Sequence, residues 1–422
     1  MKFVMSSYGT RGEVEPCVAV GRELLRRGHD VCMAVPPDLV GFVEAAGIDP
    51  IPYKLDSQTL IAPYVNYWSS FYSKPRRTRD LIRFSREGQE IGSQALAETS
   101  TMLMSLAKGA DLLLTGVNYE HPAANVAECY DIPMATMHFS PIRANGQLAG
   151  SLPPRLTRSY MNAREWLIWL IGSKKLEDTQ RREIGLPRAT RPLPQRMAAR
   201  GAMEIQAYDD VCFPGLAEEW ERWGQRRPFV GTLTIELPTK SDEEVLSWIA
   251  AGPPPICFGF GSMLVDSASN TVAMIAEACM RLGERALICA GVSEFSSVPD
   301  FAHVKVVRAV NYSAVFPVCS AVVHHGTSAT AAGLRAGVPT LVLWKIPEQR
   351  LWGDAMQRLK IGTAQCFSTM TVESLVKDLR TVLSPQCVIN ARGVATRMTK
   401  PTESAATTAD LVEHFAQQRR VC

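Results

Sequence analysis

The sequence predicts an α/β protein built from two consecutive parallel-sheet units, and three observations carry that prediction. Strand-length apolar runs alternate with helix-period stretches along most of the chain. The succession strand, glycine-rich turn, helix, strand recurs in both halves, and a βαβ unit of that kind implies parallel pairing with a right-handed crossover. A polar, proline-containing stretch, Pro228 to Ser241, separates the two series. At 422 residues the chain is also too long for one ordinary core.

In the first half, Lys2 to Ser6 reads as a buried strand, followed by a Gly/Ser/Thr-rich turn from Ser7 to Gly12 and a helix from about Glu15 to Arg27. Gly28 marks its end, and Asp30 to Val35 forms the next strand. Helices are expected at Arg77 to Gln94 and Glu98 to Lys108, strands at Asp111 to Thr115 and Met134 to His138, with the helix His121 to Tyr130 between the strands. In the second half, strands are expected at Pro255 to Phe260, Ala286 to Ala290, His303 to Val307, Ala321 to His324 and Thr340 to Trp344. Helices are expected at Asn270 to Leu282 and Thr327 to Ala336. The last helix, Glu403 to Gln418, follows a Lys-Pro break. The resulting division is 1–225, a linker at 226–240, 241–402, and a final helix at 403–422 that packs back on the first domain. No repeat of solenoid period is visible.

Composition narrows the class. Hydrophobic residues make up 46% and charged residues 21%, the balance of an ordinary globular protein. A net charge of +3 is too small for a nucleic-acid-binding footprint. No apolar run approaches the roughly 20 residues that span a bilayer, and the N-terminus lacks the apolar core of a secretory signal. Eleven cysteines without CxxC spacing point to a reducing, cytoplasmic compartment. The seven histidines do not fall at metal-ligand spacing with carboxylates, so no metal site is expected.

Three segments at strand carboxyl ends carry chemistry, since ligands of parallel α/β sheets bind there. In SSYGTRGEVEP, residues 6–16, Gly9 and Gly12 permit a tight turn beside Glu13, whose carboxylate is placed to act as a general base. Glu13 and Glu15 read equally well as first-turn residues favoured by the helix dipole, and the residues alone leave both open. The spacing GxxG does not fit a dinucleotide fingerprint. ICFGFGSM, residues 256–263, offers Gly261 and Ser262 to a phosphate. AVVHHGTSATAAGLRAGVPTLVLWKIPEQRLWGD, residues 321–354, runs a strand into two histidines, a short turn and a helix start, which is a site for a diphosphate. After the next strand, Glu348 and Gln349 suit sugar hydroxyls.

At these residues the chain resembles the GT-B glycosyltransferases, including sterol and natural-product enzymes, which carry GxRGDxxP near the start, a GFGS strand end and HHGGxGT with a later Asp-Gln pair. The segments ELPTKSDEEVLSWIAAGPPPICFGFGSM and NYSAVFPVCSAVVHHG are similar, more narrowly, to mycobacterial enzymes that glycosylate envelope glycolipids. The resemblance covers essentially the whole chain. It implies two Rossmann-like parallel-sheet domains facing across a cleft. The implied enzyme is an inverting, metal-independent hexosyltransferase that needs no cofactor beyond its nucleotide-sugar co-substrate, often a dTDP-6-deoxysugar.

By position, the resemblance implies Glu13 as the catalytic base and a donor site of Gly12, Gly261, Ser262, Val310, His325, Gly326, Thr327, Ser328, Ala329, Thr330, Glu348 and Gln349. Val310 lies in the segment, Val307 to Tyr312, that would grip base and ribose. His138, at a strand end, is the candidate to line an acceptor pocket, against its reading as an ordinary core histidine. The departures are Glu13 for aspartate, HHGTSAT for HHGGxGT and Glu348 for aspartate. If Thr327 and Ala329 had to adopt positive φ, each would cost roughly 1–2 kcal/mol.

The acceptor is read from two basic clusters. KPRRTRDLIRFSR, residues 74–86, places six basic residues around Leu81, Ile82 and Phe84. Arg155, Arg158, Arg164, Lys174 and Lys175 flank WLIWLI, residues 166–171. Such a stretch has the composition of an interfacial helix on anionic lipid, and equally of a solvated helix face over ordinary core. The expected partners are a nucleotide sugar, a lipid or glycolipid acceptor and the inner face of the plasma membrane, with no nucleic acid. Rival readings are a non-catalytic relative of the same fold, a nucleotide-sugar epimerase and a nicotinamide dehydrogenase.

Overall fold

A computed structural model describes residues 1–73, 76–148, 153–263, 265, 267–293, 301–326 and 328–420. The chain divides into two compact units. Met1–Pro63, Ser85–Ile235 and Thr399–Cys422 form the first, and Tyr64–Phe84 with Glu236–Met398 form the second.

Each unit holds a six-stranded parallel sheet. The first comprises β1 (Lys2–Ser6), β2 (Asp30–Val35), β3 (Asp49–Pro52), β4 (Leu112–Gly116), β5 (Met134–His138) and β6 (Met203–Gln206), ordered β3-β2-β1-β4-β5-β6. The second comprises β7 (Ile256–Gly259), β8 (Ala286–Cys289), β9 (Val304–Val307), β10 (Ala321–His324), β11 (Thr340–Trp344) and β12 (Gly362–Cys366), ordered β12-β11-β10-β7-β8-β9. The two orders are the same doubly wound winding, with the direction of travel reversing between β1 and β4 and between β7 and β10. Those reversals are where such sheets open a crevice for ligands.

Central strands are buried on both faces and read as unbroken apolar runs: LLLTG in β4, ICFG in β7, TLVLW in β11. Gly21 lets the helix Arg11–Arg26 sit close to the sheet, since a Cβ there would come within 2.8 Å of Ile48 Cδ1. In the second unit, Phe258, Ile288, Val323 and Leu343 from four strands join Val272, Ile275, Leu375 and Leu379 from covering helices in one core.

Several expectations shift. The first helix begins at Arg11 with Thr10 as its N-cap, a turn earlier than expected, and Pro16 stays inside it. The two helices expected at 77–94 and 98–108 are one continuous helix, Thr78–Leu106, because nothing in the intervening residues breaks it. Strands β3, β6 and β12 and the helix Ser57–Ser73 were not anticipated. The final helix, Pro401–Arg420, lies in the first unit, where Arg27 meets Asp410 and Glu413 at 2.6 and 2.7 Å and His29 Nε2 meets Glu413 at 2.5 Å.

Candidate functional site

In the second unit, the turns after β7 and β10 lie side by side, because those strands pair with His324 opposite Gly259. Gly261 follows β7 with φ +55°, and Gly291, with φ +63° in the turn after β8, packs backbone to backbone on it. A Cβ on Gly291 would lie 1.8 Å from the Gly261 carbonyl oxygen. Ser262 is half-buried just beyond.

β10 ends on His324 and is followed by His325 and Gly326, the latter with φ +104°, ahead of the helix Ser328–Ala336. A Cβ on Gly326 would lie 3.4 Å from Gln349 Cα, so the turn abuts the start of the helix Pro347–Arg358. Ser328, Ala329 and Thr330 form the first helical turn. Ala329 therefore carries a helical φ, and the strain expected of a positive-φ alanine does not arise. Thr327 lies outside the described residues.

His325 is 5% exposed, with its ring between Phe260 and Phe367 at 5.7 and 5.4 Å. Its Nδ1 lies 2.5 Å from the Leu343 carbonyl. A carbonyl only accepts, so Nδ1 carries the proton and Nε2 presents a lone pair. Among the described residues nothing bonds Nε2 of His325, Nε2 of His324 or Oγ1 of the fully buried Thr330. Burial drives His325 down to about 4 and His324 to about 3, with Lys345 adding to the effect on His325 and His325 to that on His324. His324 Nδ1 accepts from the Gly326 amide at 3.0 Å, which fixes the turn.

Gln349 is buried, and its Oε1 accepts from the Lys345 amide at 2.8 Å. Glu348 is exposed and accepts a 2.8 Å hydrogen bond from the Tyr64 hydroxyl, whose pKa burial and the Glu348 charge push up. Tyr64 and Tyr72, which meets Trp344 edge-on at 4.8 Å, belong to a helix the sequence had not marked. Tyr64 gave no recognisable signal beyond the local density of aromatics. Val310 is buried against Val315 and Phe316, so it has little side-chain surface to offer a base or ribose. Asp242 Oδ1 ties its neighbour by accepting from the Asn311 amide at 2.8 Å.

In the first unit, Gly9 takes φ +137° and Asn118 Nδ2, just after β4, donates to the Tyr8 carbonyl at 3.1 Å, so this turn too sits at its sheet's reversal. Gly12 lies in the first turn of the helix. Glu13 is at its third position, and its Oε2 accepts from the Thr10 amide at 2.7 Å and the Thr10 hydroxyl at 2.5 Å, closing a capping box. Tyr53, Tyr8 and Tyr119 stack beside it at 4.3 and 4.7 Å.

His138 is fully enclosed, with no surface to offer an acceptor. Its Nε2 lies 2.6 Å from Glu120, which also takes Thr136 at 2.8 Å and Arg143 at 2.9 Å. Arg143 reaches Glu204 at 2.6 Å, and Arg227 reaches Glu204 at 2.5 Å. This buried ion network was not foreseen, since Arg143 and Glu204 stand in segments with no motif. Among the described residues no group of three His, Cys, Asp or Glu is arranged to hold a metal.

Two doubly wound sheets, each with a glycine turn at its reversal, define the GT-B class of glycosyltransferases. A glycotransferase of kitacinnamycin superposes with a TM-score of 0.72 at 17% identity, over 98% of both chains. A Streptomyces glycosyltransferase solved with thymidine diphosphate gives 0.62 at 19% identity, over 97% of this chain and 99% of that one. Residues 3–91 match the glycosyltransferase family 28 N-terminal domain. An uncharacterized glycosyltransferase of Mycobacterium tuberculosis is 54% identical over the full length of both chains. A sterol 3-beta-glucosyltransferase of Arabidopsis thaliana is 27% identical over 92% of this chain and 63% of the plant protein. The chain belongs to the family of these mycobacterial glycosyltransferases and is a glycosyltransferase of GT-B type.

Proposed function

We propose that the protein moves a hexose, with inversion, from a dTDP-linked 6-deoxysugar onto a hydroxyl of a lipid-type acceptor in the making of a cell-envelope glycolipid. The observation that carries the donor half is the buried, unpartnered Nε2 of His325 in the segment leading into the helix Ser328–Ala336, whose Thr330 hydroxyl is also buried without a partner among the described residues. Leaving such a group without a partner is costly, and an anion at a helix N-terminus supplies one once Nε2 takes up a proton. Thymidine diphosphate bound to a protein of the same fold supports the nucleotide. A sterol glucosyltransferase among the relatives supports a lipid acceptor.

In the proposed step the acceptor oxygen attacks the anomeric carbon from the face opposite the diphosphate. The carbon–oxygen bond to the diphosphate breaks and its electron pair stays on that oxygen. Glu13 takes the acceptor proton. The helix Ser328–Ala336, with its positive N-terminal end, and His325 hold the leaving diphosphate, with Ser262 adding a hydroxyl. Glu348 and Gln349 meet sugar hydroxyls. Because Nδ1–H of His325 is committed to Leu343, Nε2 can donate to a phosphate only once protonated, so diphosphate binding takes up a proton. Neither a metal nor a further cofactor has a part in this scheme.

The test is titration calorimetry of dTDP and UDP with the wild type and His325→Ala. Wild type should bind dTDP in preference to UDP, and the variant should lose about ten- to a hundredfold in affinity, the loss expected for a charge-assisted hydrogen bond. Unchanged affinity overturns His325 as the anchor. Binding of neither nucleotide to folded wild type favours a non-catalytic relative, a reading that also draws on the Glu13 carboxylate being engaged in its own helix cap.

A further inference from the structure

The helix Pro154–Ile168 continues through a π-helical stretch, Trp169–Ser173, and one side of it is unusually apolar. Among the described residues fifteen large hydrophobic side chains are exposed, and seven of them fall between Leu156 and Ile171. Leu156, Tyr160 and Leu167 recur at spacings of four and seven, which is one helical face, and Leu170 and Ile171 extend it. Ile171 is 77% exposed whereas Trp169, two residues earlier, is 5% exposed and donates its Nε1–H to Glu177 at 2.7 Å. The helix is thus anchored by its inner face, and the outer apolar face is not core.

Charge completes the pattern. From 153 to 175 the exposed charged residues are Arg155, Arg164 and Lys175, all basic. Arg158 is paired with Glu219 at 2.8 Å and Lys174 with Asp178 at 2.8 Å. Glu165 is the acidic residue of the exposed stretch, is half-buried, and has its carboxyl pKa raised by desolvation. An apolar stripe edged by cations complements a bilayer surface with anionic headgroups, where apolar side chains enter the headgroup boundary and the cations meet the lipid charge.

We infer that this face docks the protein on an anionic lipid surface. No helix among the described residues is long and apolar enough to cross a membrane, so the contact is interfacial. The inference extends the lipid-acceptor reading, yet it is measured with neither donor nor acceptor present. A failure here leaves sugar transfer untouched, and a failure of transfer leaves docking untouched.

The experiment is cosedimentation of the full chain with vesicles of phosphatidylcholine alone and of phosphatidylcholine mixed with phosphatidylglycerol. Wild type should sediment with the anionic vesicles and weakly or not at all with the neutral ones. Leu167→Ser with Ile171→Ser should lower binding at least about tenfold. Arg155→Gln, Arg164→Gln and Lys175→Gln together should lose the preference for anionic lipid, about fivefold per charge. All five positions are exposed, and dTDP affinity in each variant reports that the fold is intact. Wild type that stays in solution with anionic vesicles overturns the proposal, as does equal binding by the variants. So does a dimer in sedimentation equilibrium that the serine variants dissolve while no vesicle binding is seen, which would assign the face to a second copy of the chain.

Discussion

At the reversal of the first sheet, the carboxylate of Glu13 is bound by the amide and hydroxyl of Thr10. At the reversal of the second, Nε2 of His324, Nε2 of His325 and the Thr330 hydroxyl are buried with no partner among the described residues. The windings are the same, so the contrast lies in the side chains. A satisfied group stabilises its own helix, whereas an unsatisfied buried group lowers the free energy of whatever ligand completes it. The second turn therefore supports the proposed binding site by its geometry. The first announces one only if the Glu13 cap can be opened or shared at the moment of reaction.

The largest effect that would break this contrast is on turnover. Glu13→Gln keeps an oxygen for the Thr10 cap but cannot accept a proton, so sugar transfer should fall about 10²–10⁴-fold while the melting temperature holds. Glu13→Ala loses the cap as well and should cost about 0.5–2 kcal/mol in denaturant unfolding. If Glu13→Gln turns over normally and only Glu13→Ala loses stability, the first turn is structural alone.

A smaller effect sharpens the second turn through pH. Folding depresses His325 from 6.5 to about 4 in the free protein, so the folded state favours the neutral ring. Its stabilising contribution is present above the unfolded value and is lost as pH falls through the interval toward 4. Diphosphate binding has the opposite sign, because the bound form needs the proton. Above about 4, dTDP affinity should weaken by up to about tenfold per unit of rising pH until the pKa of the bound form is reached. Calorimetry at neutral pH in buffers of different ionisation enthalpy should show proton uptake, and that uptake should vanish in His325→Ala. A flat profile would mean that His325 surrenders its bond to Leu343 instead.

The smallest expected effect concerns Tyr64. Removing its hydroxyl in Tyr64→Phe frees Glu348 and should raise the donor-sugar KM about threefold to tenfold, leaving dTDP affinity unchanged. An equal loss for dTDP would place Tyr64 on the nucleotide rather than the sugar.

Legibility in the sequence followed position in the sheet, with the edge strand β9 read nonetheless from its run of valines. β1, β4, β7, β10 and β11 lie inside their sheets and announce themselves as apolar runs. The missed strands, DPIP, MEIQ and GTAQC, are all at sheet edges, where one side is unpaired and proline or polar residues are tolerated. The turn after β10 stood out in the sequence because two histidines run into a helix start and Glu348 and Gln349 follow the next strand. What could not be read was which nitrogen of His325 is committed, since Leu343 lies eighteen residues away on the neighbouring strand. Nor could the strain at Ala329 be dismissed until the helix was seen to begin at Ser328. His138 shows the converse. A strand-end histidine invites a functional reading, and only the Glu120–Arg143–Glu204 network reveals it as a buried member of an ion cluster.

The return of the last helix to the first unit has a consequence for biosynthesis. Arg27 and His29 emerge from the ribosome well before their acidic partners Asp410 and Glu413, which lie 383 to 386 residues further along the chain. The segment between them includes the whole second sheet, which holds all six of its own strands within Glu236–Met398. The second unit's sheet can thus be assembled while the first still waits for its closing helix.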